Sequence, residues 1–299
     1  MKKAGLIALI ILPLNWISAQ NLKPYLLGFK TTETVSEIKS KVVENMEQNG
    51  LKVVGEYQPA ADKDRWIVIF SSSELESAVK KIGGLSGFAA TLRVGITREN
   101  GTTIVSYTNP VYWGNAYFRD DFDQVASNYV SLNAKLESAM KVSGTYLGTA
   151  FGSEKGITSD DLRKYHYMMG MPRFDDTEEL EEFENHEAAL EKVESAIKRG
   201  VPDVKMVYQV SIPEKNISLF GFALSGENGE SKFLPIVDIA KPKHTAFLPY
   251  EVLVLDNQVL MLHGRFRIAL SFPDLTMGTF TKIMSTPGDI EDLLEQLVK

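Results

Sequence analysis

The chain has 299 residues, 44% hydrophobic and 10% aromatic, and no cysteine; it can bury real cores and is not disordered, but disulfide staples, thiolate zinc sites, a cysteine nucleophile and a lipid-bearing cysteine are excluded. The net charge is −7. Residues 151–203 carry 7 basic against 14 acidic side chains while residues 20–150 carry 14 of each, so no basic stripe is present and nucleic-acid binding is not expected.

Lys2 and Lys3 precede an apolar run from Ala4 to Leu14, broken only by Gly5 and Pro13, and Ile17-Ser18-Ala19 puts an aliphatic residue at −3 and a small one at −1. That order is the grammar of a cleavable secretory signal, with Gln20 as the first mature residue. A retained anchor needs about 20 apolar residues, and Pro13 and Asn15 interrupt this run too early. No later stretch approaches a span, so the expected setting is the periplasm or the exterior.

Thr34-Val35-Ser36-Glu37 is a capping box, and Val35, Ile38, Val42 and Met46 follow at helical spacing up to Gly50. Strands are expected at Leu51–Tyr57 and Trp66–Phe70, with a break at Pro59-Ala60-Ala61-Asp62. Ser73-Glu74-Leu75-Glu76 opens a second helix that Gly83-Gly84 ends. Asn100-Gly101, between Arg93–Glu99 and Thr102–Thr108, tolerates the positive φ angles of a type I′ turn and predicts a hairpin with Ile96 facing Val105 and Val94 facing Tyr107. An aromatic loop follows, then a long amphipathic helix marked by Phe122, Val125, Tyr129, Leu132 and Leu136. Carboxylates crowd Asp175–Glu194, expected to be a solvated helix.

Leu190, Val193 and Ile197 make a helical stripe ended by Gly200. Strands are expected at Lys205–Ile212 and Ile217–Leu224, then a hairpin of Tyr250–Leu255 and Val259–Leu262 around Asp256-Asn257-Gln258. Thr286-Pro287-Gly288-Asp289 opens the last helix, with stripe Ile290, Leu293 and Leu297. Helix, strand, strand, hairpin, helix thus occurs twice, at an offset near 150–158 residues, which suggests a duplication. The expected fold class is α+β: two tandem small domains, each with helices on a mainly antiparallel sheet, at residues 20–150 and 186–299, joined by an acidic helical connector at 151–185.

Thr34–Tyr57, Trp66–Phe70 and Leu92-Arg93-Val94-Gly95-Ile96 through Asn109-Pro110 resemble the bacterial domain-of-unknown-function family 302. So does the stretch from Leu248-Pro249-Tyr250-Glu251-Val252-Leu253-Val254 through Phe272-Pro273-Asp274-Leu275 to the final helix, which is the closer match. The resemblance implies a small α+β domain in each half and supplies no catalytic residues.

The chain has no GxSxG elbow, HExxH helix, phosphate-binding glycine loop or dinucleotide fingerprint. Three clusters are candidate sites. His166, Met168, Met169 and Met171 pair an imidazole with thioethers, a donor set suited to Cu(I), although methionines there also serve as packing. His263, Arg265 and Arg267 alternate and would share one face of a strand, a row of cations for an anion, unless Glu251 pairs with one arginine. Tyr112 and Trp113, in the aromatic loop with Tyr117 and Phe118, would grip a ligand if exposed and plug the core if buried. The expected function is an exported, non-catalytic envelope protein that binds a small ligand or a protein partner in the cleft between its domains, with no cofactor. The alternatives are an envelope hydrolase whose site assembles in space and a Cu(I)-binding protein.

Overall fold

The computed structural model describes residues 21–299; the expected signal, Met1–Ala19, lies outside the described residues. Strand β1 (Tyr25–Thr31) opens the fold. It escapes a period-2 reading because its register with the later strand Thr102–Thr108 shifts at Gly28, between Leu27 and Phe29, and a bulge breaks the alternation. Helix α1 (Val35–Gln48) starts at the predicted capping box, where Glu37 accepts the Thr34 amide at 2.8 Å, and buries Val35, Ile38, Val42 and Met46. Strands β2 (Lys52–Tyr57) and β3 (Arg65–Ser71) lead to α2 (Ser73–Ile82). The α2 cap is Ser72 rather than Ser73: its Oγ accepts the Leu75 amide.

Strands β4 (Leu92–Glu99) and β5 (Thr102–Thr108) pair as predicted, Ile96 with Val105 and Val94 with Tyr107. Asn100 and Gly101 both have positive φ, 50° and 82°, the geometry a type I′ turn requires. The expected aromatic loop is instead a helix, α3 (Pro110–Phe118), buried nearly all round, and α4 (Phe122–Ser143) follows it.

Strand β6 (Ala150–Phe151) pairs with β1, and α5 (Ser159–Arg163) is a single turn. The acidic segment expected to be helical forms strand β7 (Thr177–Glu182) before α6 (His186–Arg199) begins at the Asn185 cap. On this edge strand only Leu180 is buried, and glutamates occupy the other central positions, so charge guards the open edge. Strands β8 (Val204–Ile212) and β9 (Ile217–Leu224) precede α7 (Glu230–Val237), whose internal Pro235 hides it from a periodicity search. The expected hairpin forms from β10 (Tyr250–Leu255) and β11 (Gln258–Leu262), but Gln258 pairs with Leu255, so its turn is Asp256-Asn257 without Gln258; α8 (Gly264–Ser271), α9 (Met277–Lys282) and α10 (Thr286–Glu295) close the chain. Ser285 takes the cap position expected of Thr286.

The fold is therefore α+β, with helices packed on two antiparallel sheets. The first runs β2-β3-β4-β5-β1-β6 and the second β7-β11-β10-β9-β8. Read from β2 and from β8, both have the order second, third, fourth, fifth, first, and the first sheet adds β6 beyond β1. Lys52 to Val204 and Arg65 to Ile217 span 152 residues (204 − 52 and 217 − 65), and Leu92 to Tyr250 spans 158 (250 − 92).

One hydrophobic cluster runs through both units, and their contacts are reciprocal. The tight turn Gly84–Ala89 of the first unit lies on Leu253 and Ile217 of the second, and the turn Thr245–Phe247 of the second lies on β4 of the first. Gly95 allows that approach: a Cβ there would stand 2.9 Å from the Ala246 amide nitrogen. Polar contacts pin the seam. Arg65 pairs with Asp238, Thr97 with Thr245 at 2.6 Å, Tyr25 donates to the Ser271 carbonyl at 3.2 Å and Tyr112 to the Leu270 carbonyl at 2.8 Å. Among the described residues no helix is long and apolar enough to cross a membrane.

Candidate functional site

Three segments far apart in sequence meet at a cleft of about 400 Å³: β6 with its following turn, the segment after α7, and the turn after α8. Phe151, Val237, Ile239, Pro242, Phe272 and Leu275 make its walls, and its size lies within the small-molecule range. Asp274 shapes one wall by accepting hydrogen bonds from Ser153 Oγ at 3.0 Å and the Glu154 amide at 2.6 Å.

His244 forms the floor, only 5% exposed. Its ring stacks on Phe272 with centroids 4.8 Å apart and planes 18° apart, and lies 4.9 Å from the ring of Tyr25. Its Nδ1 is 3.1 Å from the Ser271 carbonyl oxygen. A carbonyl only accepts, so Nδ1 carries the hydrogen and Nε2 is a bare acceptor, with no hydrogen-bond partner among the described residues. Burial holds the His244 pKa below the ordinary imidazole value, outweighing the nearby Asp238. The neutral ring is oriented from two sides, because Asp238 also accepts the His244 amide at 2.8 Å.

Behind this floor lies a buried charge centre. Arg93 and Glu251 occupy the second positions of β4 and β10 and form an ion pair across the seam. The Tyr208 hydroxyl donates to the same Glu251 oxygen. Arg267 Nη2 stands 3.9 Å from Glu251 and donates to the Phe247 carbonyl at 2.6 Å; its Nη1 donates to Ser271 Oγ at 2.9 Å, and its guanidinium lies 4.8 Å from the ring centre of Trp113. Ser271 therefore links the centre to the site: its hydroxyl is held by Arg267 and its carbonyl fixes the His244 tautomer.

The three predicted clusters divide differently from the expectation. His263, Arg265 and Arg267 do not line one strand face, because β11 ends at Leu262 and helix α8 begins at Gly264. Two positions apart on a helix point to nearly opposite sides, so Arg265 is exposed while Arg267 is buried and held by Glu251, the partner anticipated for one arginine. Tyr112 and Trp113 are fully buried in α3, with Trp113 Nε1 donating to the Pro24 carbonyl at 2.9 Å; they plug the core and offer no exposed grip.

The remaining residues converge on an open surface groove lined by His166, Met169, Met171, Arg173, His263 and Arg265, with Met168 outside its lining. His263 Nδ1 accepts the Arg265 amide at 3.1 Å, so Nε2 carries the hydrogen, 3.3 Å from Glu178, and is no metal donor. The groove therefore sets His166 and two thioethers beside two guanidiniums and one carboxylate, Asp176, which accepts the Arg173 amide at 2.8 Å, so positive charge outweighs negative in its lining.

Sequence reasoning passed over His244 because its Lys241-Pro242-Lys243 approach carries no period. The usable signal was the offset between halves, which sets a lone histidine opposite Ser86.

Glu230 at the start of α7 is a further buried seam group, accepting from the Tyr57 hydroxyl and the Ala60 amide, each at 2.8 Å. Burial pushes its pKa up from 4.5 to about 7, against the lowering effect of those donors. With the folded value above the unfolded one, its stability contribution is complete below pH 4.5 and is lost as pH rises through 7. Glu230→Gln should therefore remove about 3 kcal/mol of the fall in stability between pH 4.5 and 8. Urea unfolding of both proteins at the two pH values measures it, and parallel pH profiles would refute the assignment.

No protein-family model, no curated protein and no solved structure matches this chain.

Proposed function

We propose that this is an exported envelope protein built from two copies of one ancestral α+β unit, and that it binds a small, largely apolar ligand in the His244 cleft without transforming it. The observation that carries the reading is the cleft itself: apolar walls around one buried, oriented hydrogen-bonding group, at the seam of two units where ligand sites concentrate. Export rests on the n-region, apolar run and cleavage-site order of Met1–Ala19. The shared strand order and steady offset support a duplication.

A comparison of equivalent places in the two units favours this cleft. At the offsets relating β4 to β10 and α3 to α8 (250 − 92 = 158 and 264 − 110 = 154), Ser86 corresponds to His244, Tyr117 to Ser271 and Asp120 to Asp274. In the first unit the equivalent place is also a depression, of about 380 Å³, but Phe174 stacks on Tyr117 in its lining with centroids 5.1 Å apart, Arg119 and Asp175 form an ion pair there at 2.6 Å, and Ser86 Oγ donates to the Gly83 carbonyl. Both units have a depression at this place, and the second puts an imidazole in it where the first has a hydroxyl already bonded to its own backbone.

The mature protein, isolated from the envelope of its own host, is expected to begin at Gln20 and to carry a small-molecule adduct in native mass spectrometry. Thr279→Trp, which fills the cleft from its edge, should lose that adduct while unfolding at nearly the wild-type temperature. A wild-type protein without adduct, or an adduct unaffected by Thr279→Trp, would overturn the reading.

A further inference from the structure

The cleft is selective in its polar groups as well as its shape. Its lining includes Lys23 and Lys241 and, against them, Glu154 and Asp274, so the charges at the mouth balance and favour neither anions nor cations. The other polar side chains are committed within the protein: Ser153 to Asp274, and the Thr276 and Thr279 hydroxyls to each other at 3.1 Å. What remains at the floor is His244 Nε2, an acceptor without a donor. A ligand that buries this nitrogen without donating to it leaves a desolvated polar atom unpaired; one that offers a hydroxyl satisfies it.

We propose that the ligand is a neutral alcohol or phenol with a compact apolar body, its hydroxyl donating to His244 Nε2 and its body held among Phe151, Val237, Phe272 and Leu275. The inference rests on the reading of the cleft as the ligand site and narrows it to a chemical class. Two features keep the acceptor in place. The Ser271 carbonyl holds the hydrogen on Nδ1, and the ring's burial keeps it neutral near pH 7.

The test uses the full mature chain and four probes of similar size, titrated calorimetrically at pH 7.5: 4-ethylphenol, its methyl ether 4-ethylanisole, ethylbenzene and 4-ethylbenzoate. 4-Ethylphenol should bind roughly ten- to a hundredfold more tightly than each of the others, the range expected for pairing an otherwise unsatisfied buried acceptor. The nitrogen-15 resonance of His244 Nε2 should move on adding 4-ethylphenol and stay in place with 4-ethylanisole, a readout that needs no variant. His244→Phe, which keeps the stacking on Phe272, should bind 4-ethylphenol and ethylbenzene alike. Equal affinity of the phenol and its ether for the wild type, or tighter binding of the benzoate, would overturn the ligand class and leave the cleft as a binding site. If none of the probes binds, or if Thr279→Trp binds all of them unchanged, the cleft reading falls and the ligand class with it.

Discussion

Glu251→Leu is expected to destabilise the protein by about 3–5 kcal/mol, the cost of leaving a buried charge without its partner. Arg93 is fully buried in the seam, and Glu251 is the one carboxylate paired with it, while Arg267 stands on the far side of the same carboxylate. Removing the negative charge leaves two guanidiniums facing each other in a dry interior. Arg267 retains the Phe247 carbonyl, the Ser271 hydroxyl and the face of Trp113; Arg93 has no equivalent side-chain support. The combination Arg93→Met with Glu251→Leu should therefore recover most of the loss, giving a coupling energy of several kcal/mol in a double-mutant cycle. If the two single losses simply added, the pair would not be the charge centre of the seam.

Trp113→Ala should cost about 3–5 kcal/mol, the range for emptying a large aromatic site in a core that relaxes only partly. For a chain of this length that lowers the melting temperature by about 10 °C. The indole packs with Tyr117 at 5.5 Å, donates to the Pro24 carbonyl at 2.9 Å and supports the Arg267 guanidinium. Its loss should reach the cleft by a definite route: Arg267 loosens, Ser271 loses its donor, and the carbonyl that fixes the His244 tautomer becomes mobile. Thermal unfolding followed by circular dichroism measures the first effect, and the His244 nitrogen-15 spectrum measures the second. A melting point within 2–3 °C of wild type, a range of about one kcal/mol, would mean that α3 is not the plug described above.

Much of the fold was legible where the physics is local. The Asn100-Gly101 turn dictated the β4–β5 register because only those residues adopt its two positive φ angles cheaply. The Thr34–Glu37 box and the Val35-to-Met46 stripe set α1 for a similar reason: capping and a 3.6-residue period are properties of neighbours in sequence. Even β7 had its clue in the lone Leu180 among carboxylates, but alternation on an edge strand with one apolar residue is too thin to outweigh the helical propensity of glutamate.

What escaped was decided by partners distant in the chain. His263, Arg265 and Arg267 read as a strand because they alternate. The turn that puts Arg267 inward is set by Gly264 packing on Pro287, where a Cβ would stand 2.9 Å from the proline Cα, and by the seat that Trp113, Glu251 and Phe247 prepare for the guanidinium. The cleft was illegible for the same reason, since Phe151, His244 and Phe272 share no period and meet only after the two units have docked. By itself the sequence determined the capped amphipathic helices, the Asn100-Gly101 hairpin register and the doubled order of those elements, because backbone sterics and hydrophobic spacing act over a few residues. Only the tertiary structure decided which polar groups are buried and which are paired, because desolvation and charge pairing depend on what the far end of the chain brings to the same place.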